Sequence, residues 1–227
     1  AAFTSLYSSG GAPIFAMARG RKDEPRALQI QGTVYSLLLV SSLAAYELAC
    51  FKFPGRDVIF MLILSSMMLP MITYIIPLYR FVYNLGWSDT LIGLAIPSIP
   101  SAFAVFIIKQ FLESMPHELI EAGEIDGAGH LTVFLRVVLP LMATPLLTVT
   151  VIQFMQVWGS FLWPTLVAGT KWKPVSVLVA GLLGDGSWIE GRVKIAAMLL
   201  SGIPPVVVYL LFQKHIVEGI ATSGLKG

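Results

Sequence analysis

Ile195-Ala196-Ala197-Met198-Leu199-Leu200-Ser201-Gly202-Ile203-Pro204-Pro205-Val206-Val207-Val208-Tyr209-Leu210-Leu211-Phe212 is a run without a single formal charge, bounded by Lys194 on one side and Lys214 on the other. An α-helix needs about 17–25 predominantly apolar residues to cross the ~30 Å hydrocarbon layer of a bilayer, where every backbone group must be satisfied internally. Outward from this run the rest of the chain repeats the signal. Of 227 residues, 56% are hydrophobic and 12% charged, and the mean hydropathy is +0.79. A soluble domain carries about 25% charged residues, so the solvent of this chain is mostly lipid. The net charge of +2 is spread over scattered basic residues rather than a stripe, which argues against nucleic acid as a partner. A single cysteine, Cys50, excludes an internal disulfide framework and a zinc site built on several cysteines. The 14 prolines and 20 glycines suit the broken or kinked helices of transporters better than helices in water.

Four further apolar runs precede the first one quoted: residues 34–51, 58–82, 91–112 and about 137–167. Together they predict an all-α membrane protein, a helical bundle with about five spanning helices and no separate soluble domain. Pro70, Pro77, Pro97, Pro100, Pro140 and Pro145 interrupt these runs. Between them, Lys52-Phe53-Pro54-Gly55-Arg56 breaks the helix with cations at the interface, and Tyr83 and Trp87 fit the headgroup level. Residues 168–194 read as a mixed loop and 213–227 as a tail. Residues 1–33 stand apart from the core, as a loop, a surface-lying segment or the remnant of an upstream helix region; their charges follow rather than precede the apolar part, the reverse of a secretory signal. The spanning domain is therefore residues 34–227. Cations do not settle its orientation, since Lys52, Arg56, Lys109, Arg136, Lys214 and Lys226 on one side oppose Arg80, Lys171, Lys173, Arg192 and Lys194 on the other.

Residues 113–140 break the hydrophobic pattern. Ser114 can cap a helix starting near Met115 and Pro116, with Glu118 and Glu121 complementing the positive end of its dipole. Asp126-Gly127 should end it, because Gly tolerates the left-handed conformation of a helix terminus. A second helix can begin near Leu131 and run through Phe134 and Val138 to Leu139-Pro140. The product is a short helix–turn–helix. Leu119, Ile120, Ala122 and Ile125 make it too apolar to stand free in water. Two settings suit such a segment, the headgroup layer or a groove in a partner protein.

Glu121-Ala122-Gly123-Glu124-Ile125-Asp126-Gly127-Ala128, with Phe134 and Leu139-Pro140 following, resembles the "EAA" loop of ABC-importer permeases. Gly123 departs from the usual second alanine but keeps the position small. Other segments resemble sugar permeases similar to the maltose-importer subunit that ends in Lys-Gly. They are Leu43-Ala44-Ala45-Tyr46, Met68-Leu69-Pro70, Ile76-Pro77-Leu78-Tyr79, Leu85-Gly86-Trp87-Ser88-Asp89-Thr90, Phe161-Leu162-Trp163-Pro164 and the terminal residues 219–227. Family members carry a further helix before Val34, and usually Trp-Asn-Asp or Trp-Asn-Glu where this chain has Trp158-Gly159-Ser160.

The resemblance implies a non-catalytic permease subunit of a bacterial or archaeal cytoplasmic membrane, forming half of a translocation path for a sugar or oligosaccharide. It implies a second related permease (a heterodimer), two cytoplasmic ATPase subunits that bind Mg-ATP, and an extracytoplasmic solute-binding protein. The same scaffold would serve an importer for glycerol phosphate or a polyamine. Glu121, Ala122, Gly123, Asp126, Gly127, Ala128, Phe134, Leu139 and Pro140 would couple to the ATPases, with the loop and C-terminus cytoplasmic. Gly224, Lys226 and Gly227 are a second candidate contact there. Asp185, Ser187, Trp188 and Glu190 resemble the loop that probes the binding protein, and Thr73, Tyr74, Trp158, Ser160 and Trp163 are candidates to line the path. The residues themselves show no phosphate-cradling Gly-rich loop with Lys and Ser/Thr. His117, His130 and His215 are scattered without metal-ligand spacing, so no cofactor or metal is expected in the chain. Glu47 lies close enough to Lys52 to snorkel to the interface. An intramembrane enzyme would need a His or paired acid in a polar cavity, and a secondary transporter buried ionisable groups and an internal repeat. Neither pattern is present.

Overall fold

The computed structural model describes residues 38–98, 101–116, 118–184 and 189–224. Expectations placed on residues 1–33, on Asp185, Ser187 and Trp188, and on Lys226 and Gly227 lie outside them. The regular elements are all helical, as the hydropathy predicts: α1 Leu38–Cys50, α2 Arg56–Ser66, α3 Met71–Asn84, α4 Leu91–Ala95 with the 3-10 turn Ile96–Ser98, α5 Ala102–Ser114, α6 Glu118–Ile125, α7 His130–Leu141, α8 Ala143–Gly159, α9 Leu162–Val167, α10 Val175–Leu183 and α11 Gly191–Gly224.

These helices are more broken than five apolar runs suggest. Gly191–Lys214 is long and apolar enough to cross a membrane alone; α2 with α3, and α7 with α8, reach that length only as pairs across a short break. Leu38–Cys50 is a shorter apolar helix, and the run 91–112 is divided between α4 and α5. Proline explains the interruption at α2–α3: Pro70, extended at φ −61° and ψ 136°, has no N–H with which to continue α2. In α7, Pro140 has no N–H for the Arg136 carbonyl, and the turn before it widens to a π-turn, Phe134–Val138, in which Leu139 N–H bonds the Phe134 carbonyl. Two expectations change. Residues 175–183 of the expected loop form α10, an apolar helix begun after Pro174. The tail expected from residue 213 continues α11 to Gly224.

The chain divides into two compact units. Among the described residues the first holds α1, α2, α5, α6, α7, the start of α8 and the end of α11 from Phe212. Its core joins Ala45 and Tyr46 of α1, Ile108 and Leu112 of α5, and Val133, Phe134, Val138 and Met142 around α7. On α5, Lys109 is only 5% exposed. Its ammonium pairs with Glu113 one turn on and lies 4.2 Å from the centroid of the Phe60 ring, so a carboxylate offsets the charge and an aromatic face adds a cation–π attraction. The second unit holds α3, α4, the rest of α8, α9, α10 and α11 as far as Leu211, with a core of Ile75, Val82, Trp163 and Val167. Met61, Leu62, Ile76, Leu199, Leu200 and Leu211 are exposed, as suits helices whose surroundings are lipid or another subunit.

Candidate functional site

The loop 113–140 lies in the first unit, and its geometry follows from a few residues. Ser114 does not cap α6. Its hydroxyl donates 2.7 Å back to the Phe111 carbonyl, closing α5 instead, and α6 starts at Glu118. The reason is Met115, which is extended and turns the chain away before Ser114 can face the next helix. At the other end Gly127 adopts φ +77°. Gly127 N–H bonds the Glu124 carbonyl at 2.9 Å and Ala128 N–H bonds the Gly123 carbonyl at 3.1 Å, the paired bonds of a Schellman terminus. The chain re-enters α7 at His130, one residue earlier than expected, with Gly129 as N-cap.

The two faces of α6 differ. Ile120 is buried, and Gly123 faces Val133, whose side chain has no exposed surface. A methyl on Gly123 would lie 3.0 Å from Val133 Cγ2, so the missing Cβ lets α6 close on α7. On the outward face Glu121, Ala122 and Asp126 are exposed, and Ile125 keeps 85% of its surface. Ile125 thus stands as an exposed apolar side chain one turn from the exposed carboxylate of Glu121. Ala128 is half-buried, Phe134 and Leu139 are buried, and Pro140 is exposed. A chain of rings the sequence does not announce ties the loop to α1. Phe134 packs 5.1 Å from Tyr46, Tyr46 5.4 Å from Phe51, and Phe51 4.9 Å from His130, which also reaches Glu124 with Nδ1 at 3.2 Å. The spacing Tyr46, Phe51 beside the Lys52-Phe53-Pro54 break is the signal that could have found it.

In the second unit, Asp89 sits at φ +53° and its carboxylate accepts the backbone N–H groups of Gly169 at 3.0 Å, Lys171 at 3.0 Å and Trp172 at 2.8 Å. Those hydrogen bonds, Lys171's foremost, hold its carboxyl below the usual carboxylate range. Thr90 caps α4, accepting from Gly93 N–H at 3.1 Å. Of the path candidates, Trp163 is 2% exposed and donates its indole N–H to the Gly93 carbonyl at 3.0 Å. Trp158 is half-buried and donates to the Ser201 carbonyl at 3.0 Å; Ser160 accepts at its carbonyl from Ser176 Oγ at 2.7 Å. Thr73 and Tyr74 are exposed on α3. Glu190 is exposed, meets Arg192 at 3.4 Å, and receives Val193 N–H at its carbonyl where α11 starts. Gly224 ends α11.

A helix–turn–helix with one buried and one exposed face lies between broken apolar helices, an architecture that suits a membrane permease. Residues 38–222 match the family described as binding-protein-dependent transport system inner membrane component, and the chain belongs to it as a permease subunit of an ABC importer. It is 40% identical over 190 residues to the sn-glycerol-3-phosphate transport system permease protein UgpE of Yersinia pestis bv. Antiqua (strain Antiqua), across 82% of this chain and 67% of that protein. The same protein of Shigella flexneri serotype 5b (strain 8401) is 37% identical over 190 residues, with the same 82% and 67% coverage. Among solved structures, a bacterial ABC transporter involved in the import of the acidic polysaccharide alginate shares the fold. The TM-score is 0.58 at 22% identity, over 86% of this chain and 73% of that one. Family membership places the chain in a membrane, in an assembly of permease, ATPase and binding protein, as a subunit whose relatives are transport components.

Proposed function

We propose that this chain forms half of the translocation path of an importer for a sugar or oligosaccharide, driven through α6 by cytoplasmic ATPase subunits. The observation that carries the reading is the two-faced α6, fixed inward by Ile120 and Gly123 and offering Glu121, Ala122 and Ile125 outward. Outward apolar groups seat in an ATPase cleft while Glu121 meets a basic or polar group there, and nucleotide-driven closure moves α6. Phe134, Tyr46 and Phe51 pass that motion to α1, and Leu139-Pro140 pass it toward α8. The partners are a second related permease, two ATPases that bind Mg-ATP, and a solute-binding protein on the outer face. The loop and the C-terminus face the cytoplasm of a bacterium or archaeon, and Gly224, Lys226 and Gly227 add a second ATPase contact. Of the path candidates, Thr73 and Tyr74 have their surface available in this chain.

The test is uptake and ATP hydrolysis by the assembled importer carrying Glu121→Lys or Gly127→Val. Valine at φ +77° costs about 1–2 kcal/mol and distorts the turn. Both variants should insert in the membrane, while uptake falls at least about tenfold, an effect of ~1.4 kcal/mol on the coupled step. Normal uptake by both rejects the coupling role. A second substrate reading, glycerol phosphate, is favoured by the 40% identical relative. ATPase stimulation by the binding protein loaded with a neutral oligosaccharide or with sn-glycerol 3-phosphate separates the two.

A further inference from the structure

None of the 11 residues of α2 is buried, and Val58, Ile59, Met61 and Leu62 are exposed. Phe60 and Ile63, one turn apart, are the α2 residues that reach the core of the first unit. The principal neighbour of α2 is α5, the helix that leads directly into the loop carrying α6. Phe60 is central to that contact. Its ring lies 6.5 Å from the Phe106 ring, nearly parallel at 12°, and the Lys109 ammonium stands 4.2 Å from its centroid. Phe106 and Lys109 are three residues apart, so one face of α5 presents both to the same ring. Lys109 is also the only charged residue buried among the described residues. In a bilayer an apolar ring gains little by exchanging an acyl chain for a leucine, because both are equally apolar. A cation over the ring face is different, since no acyl chain can offer one. The position of α2 is therefore set by the Lys109–Phe60 contact more than by general packing.

We propose that Lys109 is a positioning residue of the transport cycle: by holding Phe60 it makes α2 move with α5 and α6 when the ATPases displace the loop. The proposal rests on the coupling reading of α6 and adds a route that the rings leading to α1 do not contain. Glu113, one turn nearer the loop, fixes the ammonium from the other side, so the lysine links the end of α5 to α2. A stabilising role alone does not account for the charge. Apolar side chains of similar volume in place of a buried ion pair are often neutral or stabilising, and the cost of breaking such a pair comes from the charge left buried. Methionine at residue 109 would fill the same space, and Glu113, which is exposed, would keep its solvent. What methionine cannot supply is the directional hold on the Phe60 ring.

Spin labels on Leu62→Cys of α2 and Leu135→Cys of α7, both at exposed positions, report where α2 sits relative to the loop. They are carried by the permease with Cys50→Ser, which removes its only native thiol, assembled with thiol-free partner subunits in nanodiscs. With Lys109 and Phe60 in place the distance distribution should be narrow and unchanged when vanadate traps the nucleotide. Lys109→Met and Phe60→Leu should each broaden it at rest and shift it on trapping. Lys109→Arg should preserve it, because a guanidinium also stands over an aromatic face. Uptake per ATP hydrolysed should fall about three- to thirtyfold in Lys109→Met and in Phe60→Leu. The double variant should be no worse than either, since both changes remove one contact. A native distance that changes on trapping, a Lys109→Met distribution as narrow as the native one, or equal loss with Lys109→Arg overturns the proposal. So does a lowered melting temperature in Lys109→Met with uptake and hydrolysis falling together, which would make the contact structural only. The resting distribution needs no ATP, so it judges the Lys109 contact even if normal uptake by Glu121→Lys removes α6 as the point of entry.

Discussion

Gly123 and Val133 form a pair in which each limits the other. A methyl at residue 123 gains about 1 kcal/mol of helix propensity. It also arrives 3.0 Å from Val133 Cγ2, on a fully buried side chain whose β-branching leaves it little rotation. Overpacking of this kind costs about 1–3 kcal/mol, so sterics win and Gly123→Ala should destabilise the loop. With Val133→Ala behind it, the same substitution should become stabilising by about 1 kcal/mol. A sign reversal in amide-exchange protection of residues 118–133 checks this, and equal effects in both backgrounds would refute the contact. Asp89 supports a second prediction, on pH. Its carboxyl is held below its ordinary range, so its contribution to the fold is fully present above the unfolded carboxylate pKa and is lost as pH falls through the lowered folded value. Protection of the Gly169, Lys171 and Trp172 amides should therefore persist at mildly acidic pH and vanish only under stronger acid. Asp89→Asn keeps one acceptor oxygen and should show low protection at every pH, without the acid transition.

Between elements, Trp158 closes a gap that proline opens. Pro205 has no N–H to bond the Ser201 carbonyl one turn before it, and Trp158 Nε1 supplies a donor at 3.0 Å from α8. Trp158→Phe leaves that carbonyl unpaired and should cost about 1–3 kcal/mol. Pro205→Ala restores the helix's own donor, so in that background the loss from Trp158→Phe should shrink to its packing part. Thermal unfolding of the four proteins gives the coupling, and strict additivity would mean the bond contributes nothing. This pair also shows what a sequence can carry. The interruption at Pro70, the apolar runs and the Asp126-Gly127 stop were legible because each acts through local backbone chemistry. Helix α6 and its turn were placed within a few residues for the same reason. Partners distant in sequence were not legible. Nothing in the sequence shows that the Ser201 and Gly93 carbonyls accept the indole N–H groups of Trp158 and Trp163. Ser114 read as the cap of the following helix, and the extended Met115 leaves its hydroxyl to close α5 instead. Glu113 is legible as a partner for Lys109 one turn on, but Phe60 does not reveal itself at all.

At the scale of the whole molecule, α11 is longer than a bilayer requires. Its 34 residues extend about 51 Å at 1.5 Å per residue, against ~30 Å of hydrocarbon. The apolar part is Gly191–Lys214, so the surplus lies at the C-terminal end, in residues 215–224. Pro204 and Pro205 interrupt its hydrogen bonding within the apolar part, but the surplus is helical to Gly224, a stiffer connection than an irregular tail. If α6 and this extension both touch the ATPases, each permease holds its motor at two points, and the second point engages at a high effective concentration once the first is made. Linked contacts of that kind exceed either alone by about 10²–10⁴ in affinity. Deleting residues 219–227, or substituting Glu121→Lys, should then leave the ATPases bound through purification while weakening transport. Combining the two changes should release the ATPases from a permease that still inserts, because the remaining affinity no longer survives dilution. Retention of the ATPases by the double variant would show that the extension is not a contact and that α6 is held by groups other than Glu121.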